Sequence, residues 1–416
     1  MIIKIAFYSN TSCLGGSEVY LKVLLEKIDQ SLYEVLFFCP PKHPLCQWAI
    51  DQEHIEVVHV FEERKTISNI GSGSVNNSNN AEKSKNLKQI VKELIPKSFR
   101  LFFGTLKEIN RLKLLFKQYS IDLIHFNDTG CEPPVIAARL AGILHVLGTY
   151  HVVPSDEDKH STWVHKLIEY FSVRCMHSAI SVSEATKQAW MKRAGINGEN
   201  ISVVHNGVDL GADKFCCDFD IDAYKREFEL ESDDLVVSVP ARLHFMKGHK
   251  YLISAISKII DRIPNIKFLF IGEGDLEVSL KALCEKEGVS NIVRFLGFRK
   301  DIINIVKLSD LIVLPSIALE ALPFSLIEAH ACSKAIVASN FSGIPEVVED
   351  GQTGVLVPPK DVDALANAII ELLKDPEKRK RMGGAGRKRV EEMFILDKML
   401  NKTFGLYEEL LKTNAF

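Results

Sequence analysis

No CxxC pair occurs in the 416-residue chain, and no histidine cluster stands at zinc-ligand spacing. That removes zinc fingers and thioredoxin-like redox motifs from consideration. Nine cysteines are present, Cys13, Cys39, Cys46, Cys131, Cys175, Cys216, Cys217, Cys284 and Cys332. They are odd in number and scattered, as in a protein of the reducing cytosol. The plain expectation for them is small core residues, with Cys216-Cys217 as loop sequence. No stretch reaches the length of a membrane span. The start, MIIKIAFYSN, lacks the basic residues, apolar centre and cleavage site of a secretory signal. Net charge is only −3, so nothing global points to nucleic acid.

What is there is a globular composition, 46% hydrophobic and 25% charged, in a chain long enough for two to three domains. Short apolar runs alternate with amphipathic stretches. IIKIAFYS, YEVLFFCP, IDLIHFN, HVLGTYH, SAISVSE and ISVVHNG read as buried strands, with VYLKVLLEKI, PPVIAARLAG and ATKQAWMKRAG as helices between them. The pattern then restarts, with LVVSVPARL, IKFLFIGEG, IVRFLGF, LIVLPS, KAIVASN and TGVLVP as strands. Near-continuous apolar strands joined by crossover helices mean parallel sheets covered on both faces. The fold class is therefore α/β, with two Rossmann-like, doubly wound domains. Expected boundaries are 1–208 for the N-terminal domain and 209–390 for the C-terminal one. A helix over 391–416 has no strand after it and is expected to pack back on the N-terminal domain.

One segment breaks the rhythm. Residues 68–84 are Gly, Ser and Asn rich and read as a mobile loop. Residues 83–117 hold ten Lys/Arg against two acids, a net +8, with Phe99, Leu101, Phe102 and Phe103 interleaved. Such a segment suits an anionic membrane surface. It equally suits a crossover helix with one basic, solvated face, and the two readings stand side by side.

Ligands of doubly wound sheets bind beyond the carboxyl ends of the strands, so the loops after strands are where chemistry is sought. NTSCLGGSEVYL follows the first strand. Gly15 and Gly16 allow close backbone approach, and the helix start favours an anion. The loop is not GxGxxG and no Walker lysine follows, so it does not read as a nicotinamide or ATP site; the alternative is a tight turn capped by Ser17. In VPARLHFMKGHKYLI, Arg242 and Lys247 stand between a strand and a helix, as a fork and a point charge for a diphosphate. Two solvated surface cations are the alternative. In LEALPFSLIEAHA, Glu320 lies before a helix opened by Pro323, and Glu328 in its second turn. Phe324 and Ser325 would offer free amides to a phosphate. Carboxylates suit sugar hydroxyls. The alternatives are a surface acid for Glu320 and a buried acid beside a core cation for Glu328, which is walled in by apolar neighbours.

These stretches together resemble the glycosyltransferase family 4 enzymes, which are GT-B fold, retaining and nucleotide-sugar-dependent. Their Glu-x7-Glu signature is matched by Glu320 and Glu328. IGEGDLEVSL, FLGFRKDI, SGIPEVVEDGQTGVLVPP, VVHNGVD and the GGSE loop are also similar, and the likeness weakens only over about 62–119. Ala321 departs from a common glycine, and Ser333 and Ala335 from the usual glycine and proline. The resemblance implies that Arg242 and Lys247 bind the donor diphosphate, so that no metal and no resident cofactor are needed. It implies that Gly16 approaches the same phosphates, Glu320 holds the transferred sugar and Glu328 the ribose. His151 matches the histidine beside the donor sugar, and Asn206-Gly207 would line the cleft near the hinge.

The function so implied is transfer of a hexose or related sugar from a nucleotide diphosphate sugar, expected to be a UDP-sugar, to a hydroxyl acceptor. That acceptor would be a glycan, a glycolipid or a small molecule, and the location cytoplasmic, peripheral on the inner face of the cell membrane if the basic segment docks there. A sugar-nucleotide 2-epimerase of the same fold and an inert sugar-nucleotide-binding protein are the competing classes. The first needs acid/base groups at the sugar ring and no acceptor.

Overall fold

A computed structural model of the chain describes residues 2–12, 15–60, 97–127, 132–154 and 163–413. The stretch 68–84 and the basic segment up to residue 96 lie outside the described residues. The chain divides into two compact units. One comprises Met1–Thr149, Asp156–Ala179 and Tyr407–Phe416; the other comprises Tyr150–Ser155 and Ile180–Leu406.

Seven strands form the first sheet: β1 (Ile3–Tyr8), β2 (Tyr33–Cys39), β3 (Ile55–His59), β4 (Leu123–Phe126), β5 (His145–Tyr150), β6 (Ser178–Ser181) and β7 (Ile201–Val203). Their order is β3-β2-β1-β4-β5-β6-β7, and the pairs from β3 through β5 are parallel. Helices α1 (Gly16–Lys27), α2 (Cys46–Ile50), α3 (Lys97–Phe116), α4 (Glu132–Ala141), α5 (Trp163–Cys175) and α6 (Glu184–Ala194) fall between the strands. β4 and β5 are buried along their whole length, as a parallel strand covered on both faces must be.

The second sheet holds β8 (Leu235–Pro240), β9 (Ile266–Ile271), β10 (Val293–Phe295), β11 (Leu311–Leu314), β12 (Ile336–Ser339) and β13 (Gly354–Val357). Its order is β10-β9-β8-β11-β12-β13, with every pair parallel. Before it come α7 (Asp213–Cys216) and α8 (Ile221–Glu227). Around it lie α9 (His249–Ile260), α10 (Glu277–Lys286), α11 (Ile302–Leu308), α12 (Phe324–Ala331), α13 (Ile344–Val347), α14 (Val362–Lys374) and α15 (Pro376–Met393). The two doubly wound parallel sheets expected from the alternation are both present.

Local chemistry explains the helix ends. Asp361 caps α14 by accepting from the Ala364 amide, and its buried face repeats at Leu365, Ala368, Ile369 and Leu372. Asp375 caps α15 in the same way, with Pro376 in the first turn. Ser183 caps α6, which ends on Gly195 at φ +60°.

The last helix, α16 (Leu396–Lys412), ends in residues of the first unit. Fully buried Tyr407 sets its hydroxyl 2.6 Å from Nδ1 of His125 on β4, with its ring edge against Phe7. The expected return of the chain end to the first half is therefore present. No helix among the described residues is long and apolar enough to cross a membrane.

The departure from glycine at residue 333 carries a backbone cost. Ser333 follows α12 with φ +55°, in the left-handed region that a Cβ disfavours. Its side chain is exposed. Ser333→Gly should raise stability by up to about 1 kcal/mol, net of glycine's larger unfolded-state entropy. Urea unfolding should show a higher midpoint at unchanged slope; an unchanged or lower midpoint would mean that the position carries no strain.

Candidate active site

The second sheet reverses its winding between β8 and β11, which are neighbours in the ladder. Loops leaving two such strands border the crevice where doubly wound sheets hold ligands. The β8 loop carries Arg242 and Lys247; the β11 loop carries Ser316 and Glu320.

Glycine lets these loops close on one another. After β8 the chain makes one 3-10 turn, Phe245–Lys247, and then Gly248 at φ +69°. A Cβ at Gly248 would collide with the carbonyl of Pro315. The Ile317 amide donates to the Met246 carbonyl at 2.7 Å, zipping the two loops together. Lys247 thereby reaches Glu320: its Nζ lies 2.5 Å from Oε1, and the Ser316 hydroxyl donates to the same oxygen at 2.6 Å. Arg242 is exposed on the same loop.

Glu320 is not a surface acid. It is 5% exposed and holds a cation and a hydroxyl at once. Its direction depends on Leu319, a non-glycine residue at φ +56°. Such a conformation costs about 1–3 kcal/mol and persists only where surrounding contacts impose it. Those contacts come from the β12 loop. The Gly343 amide donates to the Glu320 carbonyl at 3.3 Å, and a Cβ at Gly343 would strike the Ala321 carbonyl.

Pro323 proves to be the residue before α12 rather than its first, so Phe324 and Ser325 open the helix. Leu326, Ile327, Ala329, His330 and Ala331 form its packing face. Glu328 points the other way, to Nζ of Lys214 on α7 at 2.9 Å. That partner is half-exposed, so Glu328 is not a buried acid beside a core cation.

His151 directly follows β5 and is partly buried; burial holds its pKa down at about 3, so the ring is neutral at physiological pH. Its segment is pinned by Trp190, whose indole donates to the Val152 carbonyl at 2.9 Å and whose ring stacks on Tyr150. Asn206 is buried, and its amide donates to the Leu322 carbonyl at 2.9 Å. It thus supports the loop between Glu320 and α12. Gly207 sits against the backbone of Ile395, where a Cβ would not fit.

In the first unit, Gly15 caps α1, a place where Ser17 was the alternative. Glu18 accepts from the Gly15 amide at 3.0 Å and from the Ser17 hydroxyl. Glu18 is 1% exposed and acts as the internal brace of the glycine loop.

The family described as Glycosyl transferases group 1 matches residues 220–389, and Glycosyltransferase Family 4 matches 14–212. The UDP-Gal:alpha-D-GlcNAc-diphosphoundecaprenol alpha-1,3-galactosyltransferase of Escherichia coli is 30% identical over 310 residues, 73% of this chain and 79% of that one. The chain is a family 4 glycosyltransferase. The Bacillus subtilis putative glycosyltransferase EpsD is 28% identical over 295 residues, 67% of this chain and 74% of that one. Among solved structures, a glycosyltransferase from Rickettsia africae gives a TM-score of 0.76 at 22% identity, covering 99% and 100% of the two chains. Anabaena HepE in complex with UDP-glucose gives 0.75 at 21% identity, covering 98% and 100%. The fold is GT-B and the enzyme class is transferase.

The loops of this glycosyltransferase also contain residues that the motifs do not point to. Ser316 and Leu319 belong to the acid loop and Lys214 to α7, and only contacts reveal them. Glu346 accepts from the Glu184 and Ala185 amides at 2.9 and 2.8 Å and lies 3.2 Å from Nε2 of His205. Burial alone would raise its pKa; the His205 bond and the two amides outweigh that and lower it. Glu346 thereby fastens the β12 loop to the start of α6.

Two buried histidines of this glycosyltransferase lie in the helices that follow the β8 and β11 loops. His249 opens α9 and His330 lies within α12; burial pushes each pKa down to about 4. Neither ring nitrogen of His249 has a hydrogen-bond partner. Below the ordinary value of 6.5, the unfolded chain takes up protons that the folded chain refuses. The stabilising difference is therefore complete above pH 6.5 and is lost as pH falls from 6.5 through 4, at about 1.4 kcal/mol per pH unit for each histidine. His249→Leu should leave stability at pH 7 within about 1 kcal/mol, since no bond is lost, and flatten the fall of Tm between pH 6.5 and 4. An acid slope identical to wild type would refute a neutral buried His249.

Proposed function

We propose that this glycosyltransferase moves a hexose or related sugar, with retention of configuration, from a UDP-sugar to a hydroxyl of a glycan or lipid-linked acceptor. The observation that carries the reading is the Lys247–Glu320 ion pair at the winding switch of the second sheet, with Ser316 as third member. A buried carboxylate aimed by a strained backbone, and a cation on the facing loop, are what a phosphosugar needs. The names of relatives support the substrate class: the Escherichia coli relative uses UDP-Gal and a diphosphoundecaprenol-linked sugar, and HepE was solved with UDP-glucose.

In this reading the donor diphosphate draws Lys247 and Arg242, with the amides of Phe324 and Ser325 adding the helix start beneath the phosphates. Glu320 keeps Ser316 and exchanges Lys247 for sugar hydroxyls. Glu328, at the second turn of α12, takes the ribose hydroxyls in place of Lys214. Neutral His151 donates to or accepts from the sugar without adding charge. Charge that builds on the leaving diphosphate is met by fixed cations and amides, the largest kind of catalytic contribution. The acceptor oxygen bonds to the anomeric carbon as the bond to the phosphate oxygen breaks, and that phosphate oxygen takes the acceptor proton. No metal and no resident cofactor are required.

The protein side of an acceptor held at a lipid surface is proposed for α3. Phe99, Phe103 and Leu106 are exposed there beside Arg100 and Lys107, and Phe99 meets Trp163 of α5. Aromatic rings among cations fit the headgroup layer of an anionic bilayer.

A hydrolysis screen across UDP-, GDP- and ADP-sugars should single out a UDP-sugar, and product NMR should show retained configuration; inversion would sink the mechanism. Lys247→Ala should lower kcat by about 10²- to 10³-fold. Because the change strands the Glu320 carboxylate, the double variant with Glu320→Gln should regain stability and stay slow. Wild-type rates in a folded Lys247→Ala protein would remove the lysine from the mechanism.

For the surface, charge reversal of Arg100, Lys107 and Lys117 should abolish co-sedimentation with phosphatidylserine-containing vesicles. Arg111 is left intact because its guanidinium donates to the Val60 carbonyl. Vesicle binding equal to wild type would reduce α3 to a solvated crossover helix.

A further inference from the structure

Among the described residues, one group of three metal-ligating side chains converges in the first unit: Cys39, Cys46 and His59. Their spacing along the chain matches no zinc motif, and register is what assembles them. Cys39 ends β2, His59 ends β3, and the two are Cα partners in the parallel ladder. Partners on neighbouring strands send their side chains to the same face of the pleat. Cys46 is the first residue of α2, returned over the same spot by the turn at residues 40–45. That turn is closed by the His43 amide on the Pro40 carbonyl at 3.0 Å and by the Cys46 amide on the His43 carbonyl at 2.9 Å.

The three ligand atoms lie within 4.8 Å of one another. Zinc at about 2.3 Å from sulfur and about 2.0–2.1 Å from nitrogen sets its ligand atoms roughly 3.5 Å apart, so side-chain rotations of about 1 Å suffice. The nearby His43 ring is already engaged, with the Ser9 hydroxyl at 3.0 Å and the Leu45 amide at 3.1 Å. It serves as a wall and not as a ligand. Cys39 is fully buried, Cys46 nearly so, and His59 is exposed. An ion here is shielded on its sulfur side and closed by the imidazole on its solvent side, with water in the fourth position. Two thiolates cancel the charge of a dication, so the centre places no net charge in a buried pocket. Thiolate and imidazole select zinc-like ions over magnesium or calcium.

We propose that Cys39, Cys46 and His59 form a binding site for a soft divalent cation of zinc type. It acts as a clip joining the ends of β2 and β3 to the start of α2. Loading forms two metal–sulfur bonds and one metal–nitrogen bond and releases the two thiol protons to solvent.

The test uses the full-length, reduced and chelator-treated protein with cobalt(II) as probe. One equivalent should give thiolate-to-cobalt charge-transfer absorption and the visible bands of a tetrahedral site, displaced by one equivalent of zinc. Zinc should raise Tm, since a ligand bound only by the folded state stabilises it. His59→Gln changes an exposed residue and is expected to fold; it and Cys46→Ser should each lose at least about tenfold in cobalt affinity, the lower end of what even outer-sphere partners contribute. Cys216→Ser with Cys217→Ser should bind as wild type does. Absence of the charge-transfer band, equal affinity in His59→Gln, or a Cys39–Cys46 disulfide in the intact mass of untreated protein would each overturn the site.

Discussion

The buried carboxylate of Glu320 is the group around which the loops of the second sheet are organised. At 5% exposure it needs a counter-charge, because an isolated buried carboxylate is strongly disfavoured. Lys247 and Ser316 supply one cation and one hydroxyl to a single oxygen. Everything that brings Lys247 to that oxygen then becomes necessary: the adjacency of β8 and β11, the 3-10 turn, and a residue without a Cβ at 248. The same demand explains the strained backbone at Leu319, held from outside by the β12 loop. A site built in this way is pre-loaded. Its cation is already held in place, and its acid is already desolvated.

Close backbone approach is the recurring device. Gly248 and Gly343 each lie where a Cβ would meet a carbonyl of the acid loop. Gly272 and Gly274 do the same for the β9 loop against the carbonyls of Ala241 and Leu243. Four loops therefore rest on one another through main chain rather than side chain. Main-chain contacts position functional atoms with few rotatable bonds between anchor and tip, which suits a site whose task is electrostatic placement. Asn206 and Glu346 extend the brace to the segments after β7 and before α6, through one amide and one carboxylate.

The architecture was legible because apolar runs and crossover helices obey two different periods. Arg242, Lys247, Glu320 and Glu328 were legible as members of loops after strands. Their partners were not. Glu328, crowded by Leu326, Ile327 and Ala329 in the chain, turns out to be the more accessible acid, because a helix sends those neighbours to its other face. Glu320, in a loop, turns out to be the buried one. Helix periodicity predicts sidedness; nothing in a loop sequence predicts burial, which depends on what other loops fold over it.

By itself, then, the sequence determined the two doubly wound sheets, the strand ends at which chemistry gathers and the family to which the chain belongs. Each of these rests on local pattern and short-range motif. Only the tertiary structure decided that Lys247 is already bound to Glu320, that Lys214 attends Glu328, and that Arg111 is engaged with Val60. It also decided that Cys39, Cys46 and His59 share one spot. The physical reason is common to all of them. Pairings between residues far apart in sequence are set by strand order, register and the absence of a Cβ at contact points, and these quantities do not exist until the sheets have formed.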